Sequence, residues 1–296
     1  MAEGFDVKKA LSFTQQPYEV TLSAKDAILY SLGIGFQQDP MNLDHFRFSY
    51  ENADYFAPFP TNAVTVCHRG PFADGDFDIP GVPSFNPMTL LHGEEQITIE
   101  RPLKLDTKYT IQEKIADLQD KKKGALIIFD GEIRESDTGN LQSVVRSSLF
   151  VRGIGGFGYK GTVKNDFPPI PKRAPDMVSE EKTTPNQAVL YRLNSDRNPL
   201  HMDPEMAKMG GFNKPILHGL CFKGITARAI QQHYFKNDPN LLKQMSVRFT
   251  AHVFPGETLI VQAWKDGNTV VFSTMTKERK TTVLMGYLTI GEQAKL

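Results

Sequence analysis

The sequence predicts an α+β protein built from two copies of one unit, each a helix followed by several antiparallel strands. The first observation is a repeated pattern, Ala-x-Leu-Tyr-x-Leu, which begins at Ala27 and again at Ala188, an offset of 188 − 27 = 161 residues. The second is a His-Gly pair that follows in each half, at residues 92–93 and 218–219. The third is a series of strand-like segments after each pair. A curved sheet wrapped around a helix in each copy accounts for all three observations.

The first copy opens with clear local signals. Residues 18–22 read as a short strand, and Ser23 can cap the helix that follows, with Asp26 at the third helical position in a capping box. Gly33 ends that helix. The later strand-like segments are residues 109–117, 125–135 and 141–151 in the first copy, and residues 245–252, 257–264, 269–277 and 282–290 in the second.

The two copies differ in the length of chain after the His-Gly pair. From His218 to the strand residue Thr258 is 258 − 218 = 40 residues, whereas from His92 to the matching Thr107 is 107 − 92 = 15. The extra length holds residues 220–232, which are apolar on nearly every side and therefore predict a buried helix. The first copy is expected to have lost most of this helix, which would leave an open groove for a long apolar ligand.

A stretch rich in proline and glycine separates the copies and predicts an irregular linker. The predicted organisation is an N-terminal copy over residues 1–154 that accommodates the long apolar ligand, a linker over 155–183, and a C-terminal copy over 184–296 that carries the chemistry.

Composition excludes several classes of protein. Lys and Arg number 34 and Asp and Glu number 34, which argues against a dedicated binder of nucleic acid or of a membrane surface. Cys67 and Cys221 form no CxxC pair, so a disulfide framework is excluded. The chain has no run of 18 apolar residues, and therefore no predicted transmembrane helix. Its last residues, Ala294-Lys295-Leu296, are a close variant of the Ser-Lys-Leu peroxisomal address and predict the import receptor as a partner.

Asp196 and His201 are the candidate catalytic residues. They lie 201 − 196 = 5 positions apart, and the Asn198-Pro199 turn between them allows both side chains to face one point. A carboxylate and an imidazole that share a water can remove its proton and return one elsewhere. The 161-residue offset places Gly35 and Pro40 at the matching positions of the first copy, so only one copy is equipped for chemistry.

Gly219, at the predicted start of the buried helix, is the candidate hydrogen-bond donor to the substrate oxygen. Backbone N–H groups there lack partners within the helix, and glycine lets a thioester oxygen approach closely. The alternatives are that Asp196 braces a turn and that the histidines belong to the core. Asp196, His201 and His218 could also bind a metal, but the chain has no HExxH motif or cysteine pair, so we predict no metal. The absence of G-x-S-x-G disfavours a serine hydrolase.

The segment Tyr191-Arg-Leu-Asn-Ser-Asp-Arg-Asn-Pro-Leu-His-Met-Asp-Pro204, followed by Lys214-Pro-Ile-Leu-His-Gly-Leu220, resembles the 2-enoyl-CoA hydratase 2 signature of the MaoC-like hydratases. The resemblance extends along essentially the whole chain. It implies a double hot-dog fold and a cofactor-free hydro-lyase that converts trans-2-enoyl-CoA to (3R)-3-hydroxyacyl-CoA in peroxisomal fatty acid β-oxidation. It also implies a homodimer.

Site residues follow from the resemblance by position. It implies that Asp196 and His201 activate the water and that the Gly219 N–H binds the thioester oxygen. The positions that it implies for substrate binding are His92, Gly93, Lys121, Asn198 and Phe249. The chain departs from the family at Ser195, where glycine is usual. The alternatives are a related hot-dog dehydratase or thioesterase acting on another acyl thioester, and a non-catalytic acyl-CoA binding module.

Overall fold

The fold is described by a computed structural model that covers residues 4–69 and 78–291. Its strands are β1 (Tyr18–Leu22), β2 (Leu90–Ile99), β3 (Thr107–Asp120), β4 (Gly124–Glu135), β5 (Leu141–Arg152), β6 (Met177–Lys182), β7 (Leu242–Phe249), β8 (Thr258–Asp266), β9 (Thr269–Thr276) and β10 (Thr281–Ile290). Its α-helices are α1 (Val7–Leu11), α2 (Ala24–Gly33), α3 (Phe46–Ser49), α4 (Ala63–Cys67), α5 (Gln187–Tyr191), α6 (Pro204–Met209) and α7 (Gly219–Phe235).

The strands form one antiparallel sheet in the order β1-β3-β4-β5-β2-β7-β10-β9-β8-β6. The order is symmetric about its centre, because each strand of the first copy has a counterpart at the same distance from the β2–β7 junction. At that junction Gln96 lies opposite Ser246. The predicted α+β class and the two-copy architecture are confirmed. The two predicted sheets are joined edge to edge into a single sheet of ten strands.

Helix α7 is the long helix of the C-terminal copy, and the predicted buried helix is confirmed. It spans 17 residues, and nearly all of them up to Gln231 are buried. It contacts β6, β7 and β8. A helix that is apolar on nearly every side needs cover all round, and the curved half-sheet provides it.

Helix α4 takes the corresponding place in the N-terminal copy, because it precedes β2 as α7 precedes β7. It has five residues, so the predicted reduction of this helix is confirmed. The prediction that His92-Gly93 is the counterpart of His218-Gly219 was wrong, because His218 precedes α7 whereas His92 does not precede a helix. His92 and Gly93 lie inside β2, where the pairing with β5 shifts between His92 and Glu94. Residues 95, 97 and 99 are buried in alternation, which is the period of a strand.

The region between the copies also contains regular structure. The prediction of an irregular linker over 155–183 was wrong at its C-terminal end, because Met177–Lys182 forms β6 and pairs with β8 along its whole length. This strand lies at the edge of the sheet and carries Glu180, Glu181 and Lys182, and charged residues are common on edge strands. Ala294-Lys295-Leu296 lies outside the described residues. Within the described ranges, no helix is long and apolar enough to cross a membrane.

Helices α2 and α5, where the repeated sequence pattern lies, pack against each other. The predicted capping box of Ser23 and Asp26 is present at the start of α2. The rings of Tyr30 and Tyr191 lie 6.2 Å apart, centroid to centroid. The Gln187 side-chain amide donates to the Gly33 carbonyl over 2.7 Å. These contacts fix the end of α5, and with it the chain that leads into the site.

Candidate active site

The segment that carries the predicted catalytic pair begins where α5 ends. A 3₁₀ turn over Arg192–Asn194 follows the helix, and Ser195 then adopts a left-handed backbone with φ of 104°. The left-handed region of backbone conformation favours glycine. This explains why glycine is usual at the position of Ser195 in the family that the sequence resembles. The Asn194 side chain donates to the Tyr191 carbonyl over 3.1 Å and stabilises the turn.

Asp196 and Asn198 organise the next turn through their side chains. Oδ1 of Asp196 accepts the Asn198 N–H over 3.1 Å. Oδ1 of Asn198 in turn accepts the Leu200 N–H over 3.0 Å and caps the short 3₁₀ turn Pro199–His201. The Asn198 oxygen therefore positions the turn that carries His201.

His201 is held in a defined orientation by the backbone. Its Nδ1–H donates to the Ile216 carbonyl over 2.8 Å, which leaves Nε2 with a free lone pair in the neutral imidazole. The His201 ring stacks on the fully buried His218 at 3.7 Å between centroids. Nε2–H of His218 donates to the Asp196 carbonyl over 3.2 Å, so His218 braces both members of the pair.

The structure brings the predicted pair together. One ligand atom from each of Asp196, His201 and His218 lies within 4.8 Å of the other two. A carboxylate oxygen and an imidazole nitrogen at that separation can both reach one water molecule. The same three groups can also ligate a metal ion, and the absence of a metal therefore stays a prediction.

Burial and mutual charge set the protonation of these groups. Burial tends to raise the pKa of Asp196, but His218, His201 and the Asn198 N–H outweigh it and hold that pKa below its ordinary value. Burial lowers the pKa of His201. Burial, with His201 beside it, lowers the pKa of His218 to about 3. At neutral pH the site therefore contains a carboxylate and two neutral imidazoles.

Gly219 and Phe249 meet beside this pair. Gly219 is the first residue of α7, and a Cβ atom on it would lie 3.1 Å from the Phe249 ring. The Phe249 ring lies 5.2 Å from that of His92, centroid to centroid, and Gly93 follows at the β2 bulge. Four of the predicted residues thus form one continuous surface that spans both copies.

Lys121 lies apart from this surface. It occupies the exposed turn between β3 and β4, where its N–H donates to the Gly124 carbonyl over 2.9 Å. In the sheet, β4 and β5 separate its strand from β2 and His92. The structure therefore brings together all predicted site residues except Lys121.

Sequence reasoning missed the polar residues behind His92. Lys223 of α7 donates to Glu95 of β2 over 2.7 Å, and both are almost fully buried. His68 follows α4 with its ring 6.5 Å from that of His92. One signal was available, because a lysine in an otherwise apolar helix needs a buried acidic partner.

Two family models match the chain. The MaoC like domain matches residues 166–286, and the MFE-2 hydratase 2 N-terminal domain matches residues 20–153. The MaoC-like dehydratase of Phytophthora capsici, a solved structure, superposes with a TM-score of 0.88 at 34% identity. The match covers 97% of this chain and 98% of that one. The fold and the matches define a double hot-dog protein of the MaoC-like class, as predicted.

Relatives narrow the class further. The probable enoyl-CoA hydratase 2 of Dictyostelium discoideum is 40% identical over 98% of both chains. The peroxisomal enoyl-CoA hydratase 2 of Arabidopsis thaliana is 41% identical over 91% of this chain and 90% of the relative. The chain belongs to the enoyl-CoA hydratase 2 family, and the predicted family is confirmed.

Proposed function

We propose that this protein is a peroxisomal hydro-lyase that adds water to trans-2-enoyl-CoA and forms (3R)-3-hydroxyacyl-CoA during fatty acid β-oxidation. Family membership supports the reaction class, the acyl-CoA substrate and the peroxisome. The observation that carries the chemistry is the convergence of Asp196 and His201 within 4.8 Å.

The two groups suit the activation of one water. Nε2 of His201 has a free lone pair because Nδ1–H is engaged by Ile216, and the lowered pKa of Asp196 keeps its carboxylate ionised. Both therefore accept hydrogen bonds from water. As the water oxygen bonds to C3 of the substrate, one of its protons passes to this pair, and a proton from the pair is delivered to C2. The sum is the addition of H₂O across the double bond.

Gly219 suits the charge that develops during the addition. Attack at C3 moves electrons through C2 to the thioester oxygen, which becomes an enolate oxygen. The Gly219 N–H is the first of a 17-residue helix, where the backbone amide is unpaired within the helix and the helix dipole favours negative charge. A donor at that point stabilises the enolate more than the ground-state carbonyl.

The remaining predicted residues bind the substrate in this proposal. Phe249, His92 and Gly93 line the surface next to Gly219, and the exposed position of Lys121 is compatible with a contact to a CoA phosphate at the rim. Asn198 contributes through the turn that it caps. No cofactor enters the reaction.

The test is hydration of crotonyl-CoA, followed as the loss of absorbance of the conjugated thioester. The expected result is turnover to the (3R) product, identified by chiral chromatography. Release of free CoA, detected with a thiol-reactive dye, would identify a thioesterase instead. Tight binding of crotonyl-CoA without turnover would identify a binding module.

Two partners complete the proposal. The C-terminal Ala294-Lys295-Leu296 is proposed to bind the peroxisomal import receptor, and a fluorescent fusion that lacks these three residues should fail to enter peroxisomes. A homodimer is proposed on the resemblance alone. Sedimentation equilibrium that gives the mass of one chain would exclude it.

A further inference from the structure

His218 contacts both members of the proposed catalytic pair but has no chemical step in the proposed reaction. It is the residue before α7, and its side chain is fully buried. Its Nε2–H donates to the main-chain carbonyl of Asp196 over 3.2 Å. The plane of its ring lies 29° from that of His201, with 3.7 Å between the centroids. One side chain thus holds Asp196 through its backbone and His201 through its ring.

Two tyrosines of the repeated sequence pattern fix His218 in turn. The Tyr191 ring lies 5.1 Å from that of His218, and the Tyr30 ring lies 6.2 Å from that of Tyr191. Both tyrosines are buried, and the Tyr30 hydroxyl shares a hydrogen bond of 2.8 Å with that of Thr61. The rings form a continuous series from α2 of the first copy to His201. The repeated pattern therefore supports the site as well as the packing of α2 against α5.

Stability alone does not account for a histidine at position 218. Because a carbonyl oxygen only accepts, Nε2 carries the hydrogen, and the ring is neutral since burial and the adjacent His201 lower the pKa of His218 to about 3. The lone pair is then on Nδ1, a buried atom with no hydrogen-bond partner among the residues that the structure describes. A buried acceptor without a partner costs free energy of folding, and an apolar side chain of similar volume would avoid that cost. What the histidine provides here is its two contacts with the pair.

These contacts restrict motions that the other bonds of the pair allow. His201 is held to the Ile216 carbonyl through Nδ1, and a ring can tilt about a single hydrogen bond. The stack against His218 removes that freedom. Asp196 follows Ser195, whose φ of 104° is costly for a residue with a side chain, and the bond from His218 holds the next carbonyl in place. Both restrictions matter because catalytic groups have to lie within about 0.5 Å of the productive geometry.

We propose that His218 is a positioning residue for the addition of water, which holds the Asp196 carboxylate and Nε2 of His201 at one water molecule through the carbonyl bond and the ring stack. The inference rests on the proposed function. His218 exchanges no proton in it, because its hydrogen stays on Nε2 and bonded to the Asp196 carbonyl throughout the reaction. Loss of His218 should therefore lower kcat, whereas KM, which depends on the groups that bind the substrate, should change little.

The first test separates the two contacts by substitution. His218→Phe keeps a ring and loses the donor, His218→Gln keeps a donor and loses the ring, and His218→Leu loses both. With crotonyl-CoA we expect kcat to fall about 100-fold in the leucine variant and about tenfold in each of the others, with KM within about twofold of the wild-type value.

The matched control for this series is His45→Leu, which removes a buried histidine of the first copy and should leave kcat and KM unchanged. Thermal melting shows which variants are folded, and the two partial variants carry the test if His218→Leu does not fold. A wild-type kcat in the folded His218 variants, an equal loss in the control, or a loss confined to KM overturns the proposal.

The second test follows the orientation of His201 without turnover. In free wild-type protein labelled with ¹⁵N-histidine, the Nδ1–H of His201 should give a slowly exchanging NMR signal, because its bond to Ile216 stays intact. The signal is assigned by its absence in His201→Ala. We expect it to persist in His218→Phe and to be lost by exchange with water in His218→Leu. A signal that is equally protected in the leucine variant contradicts the proposal. Failure of the wild type to hydrate crotonyl-CoA would refute the proposed function alone, since this measurement does not depend on turnover.

Discussion

The two copies contain the same left-handed turn at equivalent positions, but a different type of residue follows the turn in each copy. In the first copy, the chain leaves α2 through Gly35 with φ of 87°, and in the second it leaves the turn after α5 through Ser195 with φ of 104°. Beyond Gly35 comes Phe36, which packs into an aromatic core with Phe48 at 5.3 Å. Beyond Ser195 comes Asp196. One backbone feature is thus followed by an apolar side chain in one copy and by the proposed catalytic carboxylate in the other.

The comparison also corrects the alignment of the repeat. The left-handed residues are 195 − 35 = 160 positions apart, one fewer than the sequence offset of 161. The counterpart of Asp196 is therefore Phe36 rather than Gly35. Neither residue ionises, so the conclusion that the first copy lacks the carboxylate stands. The division of labour, with chemistry in one copy and binding in the other, can be tested residue by residue.

The largest effect is expected from the proposed catalytic pair, Asp196 and His201. Asp196→Asn and His201→Ala should each lower kcat roughly 10²- to 10⁴-fold, because each removes a group that handles the proton. The crotonyl-CoA assay measures the loss. Asp137→Asn and His233→Ala, at exposed positions, are the matched controls and should keep full activity. If either site variant keeps more than half of the wild-type kcat while folded, the assignment is wrong.

A smaller loss is expected at the helix start. Gly219→Ala keeps the backbone N–H but places Cβ 3.1 Å from the Phe249 ring, so the ring or the first turn of α7 has to move. A displacement of a few tenths of an ångström should lower kcat about tenfold. Adding Phe249→Leu, which makes room for the methyl group, should restore part of the loss. If the second change restores nothing, the crowding explanation fails.

The third prediction replaces a residue of the second copy by the equivalent residue of the first. His218 precedes α7, and Asn62 holds the same place before α4. The pKa of His218 is lowered to about 3 from 6.5, so between those pH values the unfolded chain binds a proton that the native protein does not. This lowers the free energy of unfolding as the pH falls, by at most about 1.4 kcal/mol per pH unit. His218→Asn should reduce this dependence in urea titrations between pH 7 and pH 4.

The exposed His233→Asn is the control for that exchange. Its ring lies on the surface at the end of α7, so the pH dependence of its unfolding should match that of the wild type. An unchanged pH dependence in His218→Asn would show that other groups cause the acid sensitivity.

The weakest effects are expected at the rim and for metal removal. Lys121→Ala should raise KM about twofold with unchanged kcat, and the difference should vanish at high salt, since exposed charges are screened.

Dialysis against EDTA should leave kcat unchanged, because Asp196 and His201 act on water without a metal in the proposed mechanism. An activity that falls on dialysis and returns with zinc would instead assign the three converging groups to a metal.

Most of the candidate site could be predicted from local signals in the sequence. Asp196, His201 and Gly219 lie on two short segments whose turns and helix start are visible in the sequence, so they could be predicted. The partner of Lys223 could not, because Glu95 lies 128 residues away and only the sheet brings the two together. The strand over residues 90–99 was not predicted, because the His-Gly pair in it was matched with the pair that precedes the long helix of the second copy.

The two units that meet at the junction between β2 and β7 belong to a single polypeptide, so their sequences can differ. Two identical chains that paired along the same edge would display every substitution twice. Once the units are covalently linked, a change in one need not be suitable for the other. One unit can therefore have a helix of five residues and Phe36 where the other has a helix of 17 residues and Asp196.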